Sequence, residues 1–393
     1  MEVLELLEII DRGEDSRNQF KETVTGAKKL GDEIVAFSNS HGGIIVIGVT
    51  DRRELKGLSA AEINRINQHV SNATTNNIRP AVNVETEIVP IEKKNMLVIH
   101  VREGVNKPYC DNDGAYWVKN GADKRKVTAP EALQRLFQDG RKIYADNTPV
   151  EGTTINDLNR EKFNKYFKRV YDKNPDDKEF PPIEKLLENL HLAKGGHLNL
   201  GGLLLFGKNP SRFLPVFIIK AVAFFGNSLA GMDYRDSEDI EGDLETQFNN
   251  GMDFLLRNLR KTQQGQNFNS LGILEVSKIA LEEVLQNALI HRDYFRNSPV
   301  RLLIFDDRIE ILSPGKLPNT LTVENIKYGY SVIRNSLIAS FAGKILPFRG
   351  LGSGIIRALK EQPGIKFYND TESEQFKVVI PRPSPDQGLT IKE

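Results

Sequence analysis

Residues 280–294, ALEEVLQNALIHRDY, constrain the chain more than any other stretch. Glu283, Asn287 and His291 recur every fourth position, so a helix stacks them on one face, while Leu281, Val284, Leu285, Ala288 and Leu289 make an apolar side. The pattern predicts a half-buried helix whose polar stripe is either a solvated face or a ligand site. The His-Arg-Asp-Tyr ending and the glycine-punctuated strand sequence that follows favour a ligand. An amide oxygen such as that of Asn287 can complete the octahedral shell of a Mg²⁺ carrying phosphates. A carboxylate such as Glu283 can orient a water against a terminal phosphoryl group.

The remainder of the chain decides what such a helix belongs to. At 393 residues there is length for two or three domains, each with its own core. With 53 basic and 53 acidic residues, no global field drives the chain onto nucleic acid or membrane, so any such binding must be local. A single cysteine, Cys110, excludes an internal disulfide and a cysteine-based zinc cage, and suits a reducing compartment. The acidic, amphipathic opening MEVLELLEIIDRGED differs from a signal sequence, and the most apolar run, 216–225, is too short to span a bilayer. These features predict a soluble, cytoplasmic protein with no membrane partner.

Along the first third, a helix over residues 1–12 is followed by a charged loop or edge strand around Phe20, then a helix over 27–39. The β-branched run IIVIGV at 44–49 reads as a buried strand entered through Gly42-Gly43. Ser59 with Glu62 three positions on signals a helix start, and strands are expected at 82–90 and 96–101. Residues 108–128 read as a hairpin carrying Tyr116, Trp117, Lys119, Lys124, Arg125 and Lys126, with a closing helix at 130–138. A solvated turn is one reading of that hairpin. An aromatic pair beside four cations is also the composition that stacks on bases while neutralising phosphates, and it favours nucleic-acid contact.

Three blocks, GEDSRNQFKETVTG, IVAFSNSHGGIIVIGVTD and GAYWVKNGADKRKV, resemble the Alba-like domain of the Schlafen superfamily. The resemblance implies a DNA- or RNA-binding domain over 1–140. Some Schlafen relatives are endoribonucleases with three carboxylates around a divalent metal. Carried over, these positions fall on Glu14, on Gln19 and near Thr50-Asp51. Gln19 departs from the pattern, because an amide removes one charge from the set, and Glu22 should face the other side of a strand.

A polar boundary at 140–152 precedes a small helical unit ending near 208, with helices at 155–171 and 183–190 and a glycine-rich hairpin. It is either a winged-helix-like shape or, lacking a basic recognition helix, a connector packed on its neighbours. Beyond it come a strand at 216–225, a helix at 242–260, the central helix capped by Ser277, and strands at 300–305 and 308–312 joined through Asp306-Asp307. A mobile-looking segment at 319–330 leads to a helix at 333–342. Then follows RGLGSG at 349–354, a helix from 355, and strands at 365–368 and 375–380. Spaced glycines opening a helix suit phosphate, since backbone N–H groups approach it and the helix terminus adds partial positive charge.

HRDY, SPGKLP, IRNS and RGLGSGI, in that order, resemble the GHKL ATP-binding fold, in the divergent branch that follows a Schlafen domain in bacterial proteins labelled helicase-like or transcriptional regulators. The resemblance implies an α/β architecture with a GHKL-like sandwich over 209–393, after the connector at 141–208. It further implies ATP and Mg²⁺ as ligands, Glu283 as general base, Asn287 as Mg²⁺ ligand, and Gly315, Gly350, Gly352 and Gly354 around the nucleotide. Ser313-Pro314-Gly315-Lys316 stands where a typical member has the Asp that reads adenine. No Gly-x-x-x-x-Gly-Lys-Ser/Thr loop occurs, as a translocating helicase would need. His291 and Arg292 either complement the helix dipole or contact phosphate or a second subunit. Arg334-Asn335 either meets nucleotide or caps the next helix.

The resulting expectation is a homo-oligomeric bacterial regulator that binds nucleic acid and senses or hydrolyses ATP. One alternative is a metal-dependent ribonuclease using Glu14 and Asp51, of the kind that serves phage defence. Another is a non-catalytic assembly module.

Overall fold

The computed structural model describes residues 1–140, 142–229, 233–262, 272–318, 321–350 and 352–383. The chain forms two compact units, 1–143 and 144–393, each of mixed α/β architecture.

In the first unit, helices α1 (Val3–Arg12), α2 (Ala27–Asn39) and α3 (Ala60–Asn76) cover a four-stranded sheet. Its strands are β1 (Asn18–Lys21), β2 (Gly43–Ile47), β3 (Glu85–Ile91) and β4 (Lys94–Val101), in the order β1-β2-β4-β3. β1 runs parallel to β2, and the other pairs are antiparallel. β2 reads as a continuous apolar run because both of its faces are buried. Ile45 and Ile47 pack with α2 and α3, whereas Ile44 and Val46 pack with Leu6, Ile9 and Ile10 of α1. Gly43 is required at its start, since a Cβ there would lie 2.2 Å from the Arg17 carbonyl oxygen.

Ser59 and Glu62 form the reciprocal cap that opens α3. The strand expected at 82–90 begins later, at Glu85. The hairpin pairs β5 (Trp117–Asn120) with β6 (Asp123–Lys126), and α4 (Pro130–Asp139) follows.

In the second unit, α5 (Arg160–Tyr171), α6 (Ile183–Asn189) and α7 (Leu200–Phe206) do not stand apart as a winged-helix-like module. Phe163, Leu187 and Leu203 belong to the same core cluster as the sheet and helices that follow. The single helix expected over 155–171 is split. Thr154 and Asp157 cap a short 3-10 turn, and Asn159 then starts α5 by accepting from the Lys162 N–H.

The sheet has six strands, β7 (Ile219–Phe224), β8 (Tyr234–Ile240), β9 (Val300–Ile304), β10 (Arg308–Pro314), β11 (Lys366–Asp370) and β12 (Gln375–Pro381). Their order is β8-β7-β9-β10-β12-β11, with β7 parallel to β9 and the remaining neighbours antiparallel. Helices α8 (Leu244–Asn258), α9 (Lys278–Ile290), α10 (Val323–Lys327), α11 (Ser336–Ile345) and α12 (Gly354–Glu361) complete the unit. Residues 319, 320 and 351 of the expected segment and glycine run lie outside the described residues.

The central helix α9 differs from the half-buried expectation. It is buried nearly all round, Glu283 and Gln286 included, because α8, β10 and α12 each pack against it. Its polar stripe therefore lines a cavity open on one side, with Glu283 buried and Asn287 and His291 partly exposed. No helix among the described residues is long and apolar enough to cross a membrane.

Candidate functional site

Ser277 opens α9 by accepting from the Ala280 N–H, and this start sets the phase of the stripe. Glu283, Asn287 and His291 all line one cavity of about 130 Å³. Ile311 of β10 and Phe376 and Val378 of β12 form its apolar side, with the Ser313 hydroxyl beside them. The turn at 315–318 and residues 330–334, 348–350, 352–355 and 357 close round it.

Each stripe residue meets the cavity differently. Glu283 accepts from Gln286 Nε2 at 2.7 Å and forms an ion pair with Arg357 of α12. Burial raises its pKa above the ordinary carboxylate value, and the Arg357 charge only partly offsets this. The Asn287 side-chain amide has no hydrogen-bond partner among the described residues. Burial, followed by the Arg334 charge, pushes His291 down to about 4, so its ring is neutral at pH 7. That ring lies edge-on to Phe348 at 6.0 Å.

Four cations line the same cavity, Lys316, Arg334, Arg349 and Arg357, against the single carboxylate of Glu283. Arg334 is positioned by donating to the Lys316 carbonyl at 2.7 Å. Gly315, Gly350, Gly352 and Gly354 line it as well, and three of them allow close approaches. A Cβ on Gly354 would lie 2.4 Å from Glu283 Oε2, one on Gly352 would lie 2.1 Å from the Gly329 carbonyl oxygen, and one on Gly315 would lie 2.5 Å from Asp293 Cβ. The structure thus gathers Glu283, Asn287 and the four glycines at one place.

Sequence reasoning missed Lys316, Arg349 and Arg357. Their signal was position: Arg349 directly precedes the glycine run and Arg357 lies three residues past Gly354, on the same side of a helix. Ser313, standing where an adenine-reading Asp is expected, donates its hydroxyl proton to the Ala288 carbonyl at 2.9 Å.

Two residues with open alternatives prove to be internal. Arg292 is only 2% exposed, lies between the Phe217 and Tyr294 rings, and donates to the carbonyls of Arg296 and Ser298. Asn335 does not cap the helix it precedes. It donates to the Ile290 and Arg292 carbonyls and so closes the C-terminal end of α9.

In the first unit, the three positions carried over from the nuclease pattern, Glu14, Gln19 and Asp51, have different surroundings. Among the described residues no three His, Cys, Asp or Glu side chains converge as a metal cage. Glu14 Oε1 instead accepts from the Phe20 N–H at 2.7 Å, Gln19 Oε1 accepts from Lys119 Nζ at 3.2 Å, and Asp51 is exposed in a turn. Glu22 pairs with Lys56.

The hairpin is likewise divided. Lys124 pairs with Asp32 and Glu33 of α2 at 3.3 and 3.4 Å and lies over the Trp117 ring, while Lys119 lies over Phe37. Trp117 donates to Asp111 at 2.8 Å and Tyr116 packs edge-on against Phe137, so both rings are partly buried within the unit. Arg125 and Lys126 are exposed, and their side chains hold no hydrogen bond or ion pair among the described residues.

A Schlafen-type α/β unit followed by an ATPase-like α/β unit defines the class, a nucleic-acid-related protein with an ATP-binding type of domain. More particularly, the chain carries a Schlafen AlbA_2 domain at residues 14–128 and, at 297–380, the domain described as "Putative ATP-dependent DNA helicase recG C-terminal". Residues 134–219 match a domain of unknown function, DUF8451. Glu283 and Asn287 precede the second of these matches.

The DIP2311 protein from Corynebacterium diphtheriae is similar at 18% identity over 98% of this chain and 81% of its own, with a TM-score of 0.47. The N-terminal domain of a "Putative ATP-dependent DNA Helicase RecG-related Protein" from Nitrosomonas europaea is similar at 20% identity over 31% of this chain and 94% of its own, with a TM-score of 0.23. No curated protein matches the chain. Residues 202–208, GLLLFGK, approach a phosphate-loop pattern but end in Asn209, and they lie in the buried helix α7 and the bend after it.

Proposed function

We propose that the cavity of the second unit binds a nucleoside triphosphate with Mg²⁺, and that the chain is a nucleic-acid-binding regulator whose grip responds to that nucleotide. One observation carries the reading: four cations, an unpartnered amide and a set of glycines that permit close backbone approach meet at one cavity containing a single carboxylate. Such a cavity carries more positive than negative side chains, and Glu283 answers only Arg357, so it is electrostatically matched to a polyanion.

Asn287 is the residue that would hold Mg²⁺, with the ion's other ligands coming from phosphate and water, and the ion would neutralise charge on the phosphates. Gly350, Gly352 and Gly354 let backbone approach the phosphates, while Lys316, Arg334 and Arg349 supply positive charge. Glu283 is placed to orient a water and take its proton, so slow hydrolysis is part of the reading. Ser313 presents a hydroxyl whose proton is already committed to Ala288, leaving an acceptor toward the base.

Nucleic acid is assigned to residues 1–140, with Arg125 and Lys126 as the contacting cations. The regulator is proposed to act in the cytoplasm as a homo-oligomer. The test is the thermal midpoint with and without millimolar ATP and Mg²⁺. A ligand at a hundred times its Kd adds about 2.7 kcal/mol, and Asn287→Ala should lose that shift while keeping its own unliganded midpoint. No shift in the unaltered protein would sink the proposal.

A further inference from the structure

The contact between Glu283 and Arg357 is incomplete in a way that points to a second partner. Arg357 gives part of its guanidinium to Glu283, yet its Nε–H is buried without an acceptor. Beside it, Gln286 donates its Nε2 to Glu283, while Gln286 Oε1 is buried and unpartnered. A buried Nε–H without an acceptor costs free energy that an acceptor ligand such as a phosphate oxygen would recover, whereas Gln286 Oε1, itself an acceptor, has nothing to gain from phosphate.

The pair is also placed where the cradle closes. Arg357 lies one turn along α12 from Gly354, and Gly354 is the residue whose Cβ would strike Glu283. Arg357, Glu283 and the start of α12 therefore occupy one spot at the phosphate end of the cavity. A guanidinium has five donors in a planar fork that matches phosphate better than a single carboxylate oxygen does.

Resting on the nucleotide reading above, we propose that Arg357 is the specificity-determining residue that reads the terminal phosphate of a nucleoside triphosphate, and that Glu283 holds it in reserve until that phosphate arrives. On binding, the guanidinium exchanges the carboxylate for the phosphate oxygens, and the freed Glu283 turns to water. A nucleoside diphosphate, one phosphoryl group shorter, leaves the pair closed. Arg349 lacks such a tether and contributes charge to either ligand.

The experiment is equilibrium binding of ATP and of ADP to the full chain, for the unaltered protein, Arg357→Gln, Glu283→Gln and the double variant. The unaltered protein should prefer ATP by about tenfold or more, the contribution of one charge-assisted hydrogen bond. Arg357→Gln should bring the two affinities together by weakening ATP alone. Glu283→Gln should tighten ATP and leave ADP unchanged, because the competing carboxylate charge is gone, and the double variant should lose that gain.

Equal weakening of ATP and ADP in Arg357→Gln, or weakened ATP in Glu283→Gln, would overturn the assignment and leave the pair a structural contact. ADP affinity and the unliganded melting midpoint report whether each variant is folded. Should Arg357→Gln not fold, Arg357→Lys keeps the charge and must still lower the ATP preference, since an ammonium lacks the fork. Binding of ADP with no preference for ATP refutes only this inference. Failure of the unaltered protein to bind either nucleotide refutes the cavity reading and this inference with it.

Discussion

Cations in the two units carry the same formal charge and do opposite work. Lys119 and Lys124 of the β5–β6 hairpin are spent internally, on Gln19, Asp32 and Glu33, with their ammonium groups over the Phe37 and Trp117 rings. Lys316 and Arg349 line a cavity and have no side-chain hydrogen bond or ion pair among the described residues. A run of basic letters is therefore no measure of a binding surface. What matters is whether the fold has already supplied the counter-charge.

The largest effect expected from this contrast is a pH dependence. Unfolded His291 takes up a proton near its ordinary 6.5, but the folded side chain does so only at about 4. Between these values the unfolded state binds more protons, so stability falls as the pH drops through that window. At 1.36 kcal/mol per unit the loss reaches at most about 3 kcal/mol, an upper bound because the ring keeps some contact with the cavity's solvent. Denaturant titrations at pH 7 and pH 4.5 should show the decline, and His291→Asn should remove most of it. An unchanged slope in the variant would show that the cavity does not bury the ring.

Next comes the comparison of tied with untied cations. Lys124→Ala strands Asp32 against a partly buried face, while Glu33 keeps Lys21, and should cost about 2 kcal/mol, the range for broken buried pairs discounted for partial exposure. Arg349→Ala should leave stability within about 0.5 kcal/mol and weaken nucleotide binding instead. Equal losses of stability in the two variants would erase the distinction.

The smallest effect concerns the exposed end of the hairpin. Removing Arg125 or Lys126 should leave stability within about 0.5 kcal/mol while lowering the salt slope of nucleic-acid binding by about one each. An unchanged slope would move the nucleic-acid surface elsewhere on the first unit.

Much of the architecture was legible because local signals agreed with it. The Ser59–Glu62 box, the Gly42-Gly43 entry into β2 and the Ser277 cap all act within a few residues, and each appears where the letters put it. The helix expected over 155–171 failed for a local reason as well: Thr154–Asp157 and Asn159 offer two caps, and the chain uses both. Of the two readings of the 141–208 connector, the structure has the packed one, because its aromatic residues complete a core supplied by helices much later in the chain. Phe206 meets Phe341 at 5.8 Å between ring centroids.

At the cavity, the spacing of Glu283, Asn287 and His291 by itself determined that these three share a face, since helical periodicity is a property of the backbone alone. The glycines at 315, 352 and 354 likewise announced positions where a side chain would obstruct. Only the tertiary structure decided that the face lines a cavity of the unit, that Arg357 answers Glu283 while Asn287 is left unanswered, and that Arg292 and Asn335 serve the fold. Those outcomes depend on which elements arrive from tens of residues away, and a charge or an amide acquires its role from the partner it finds there.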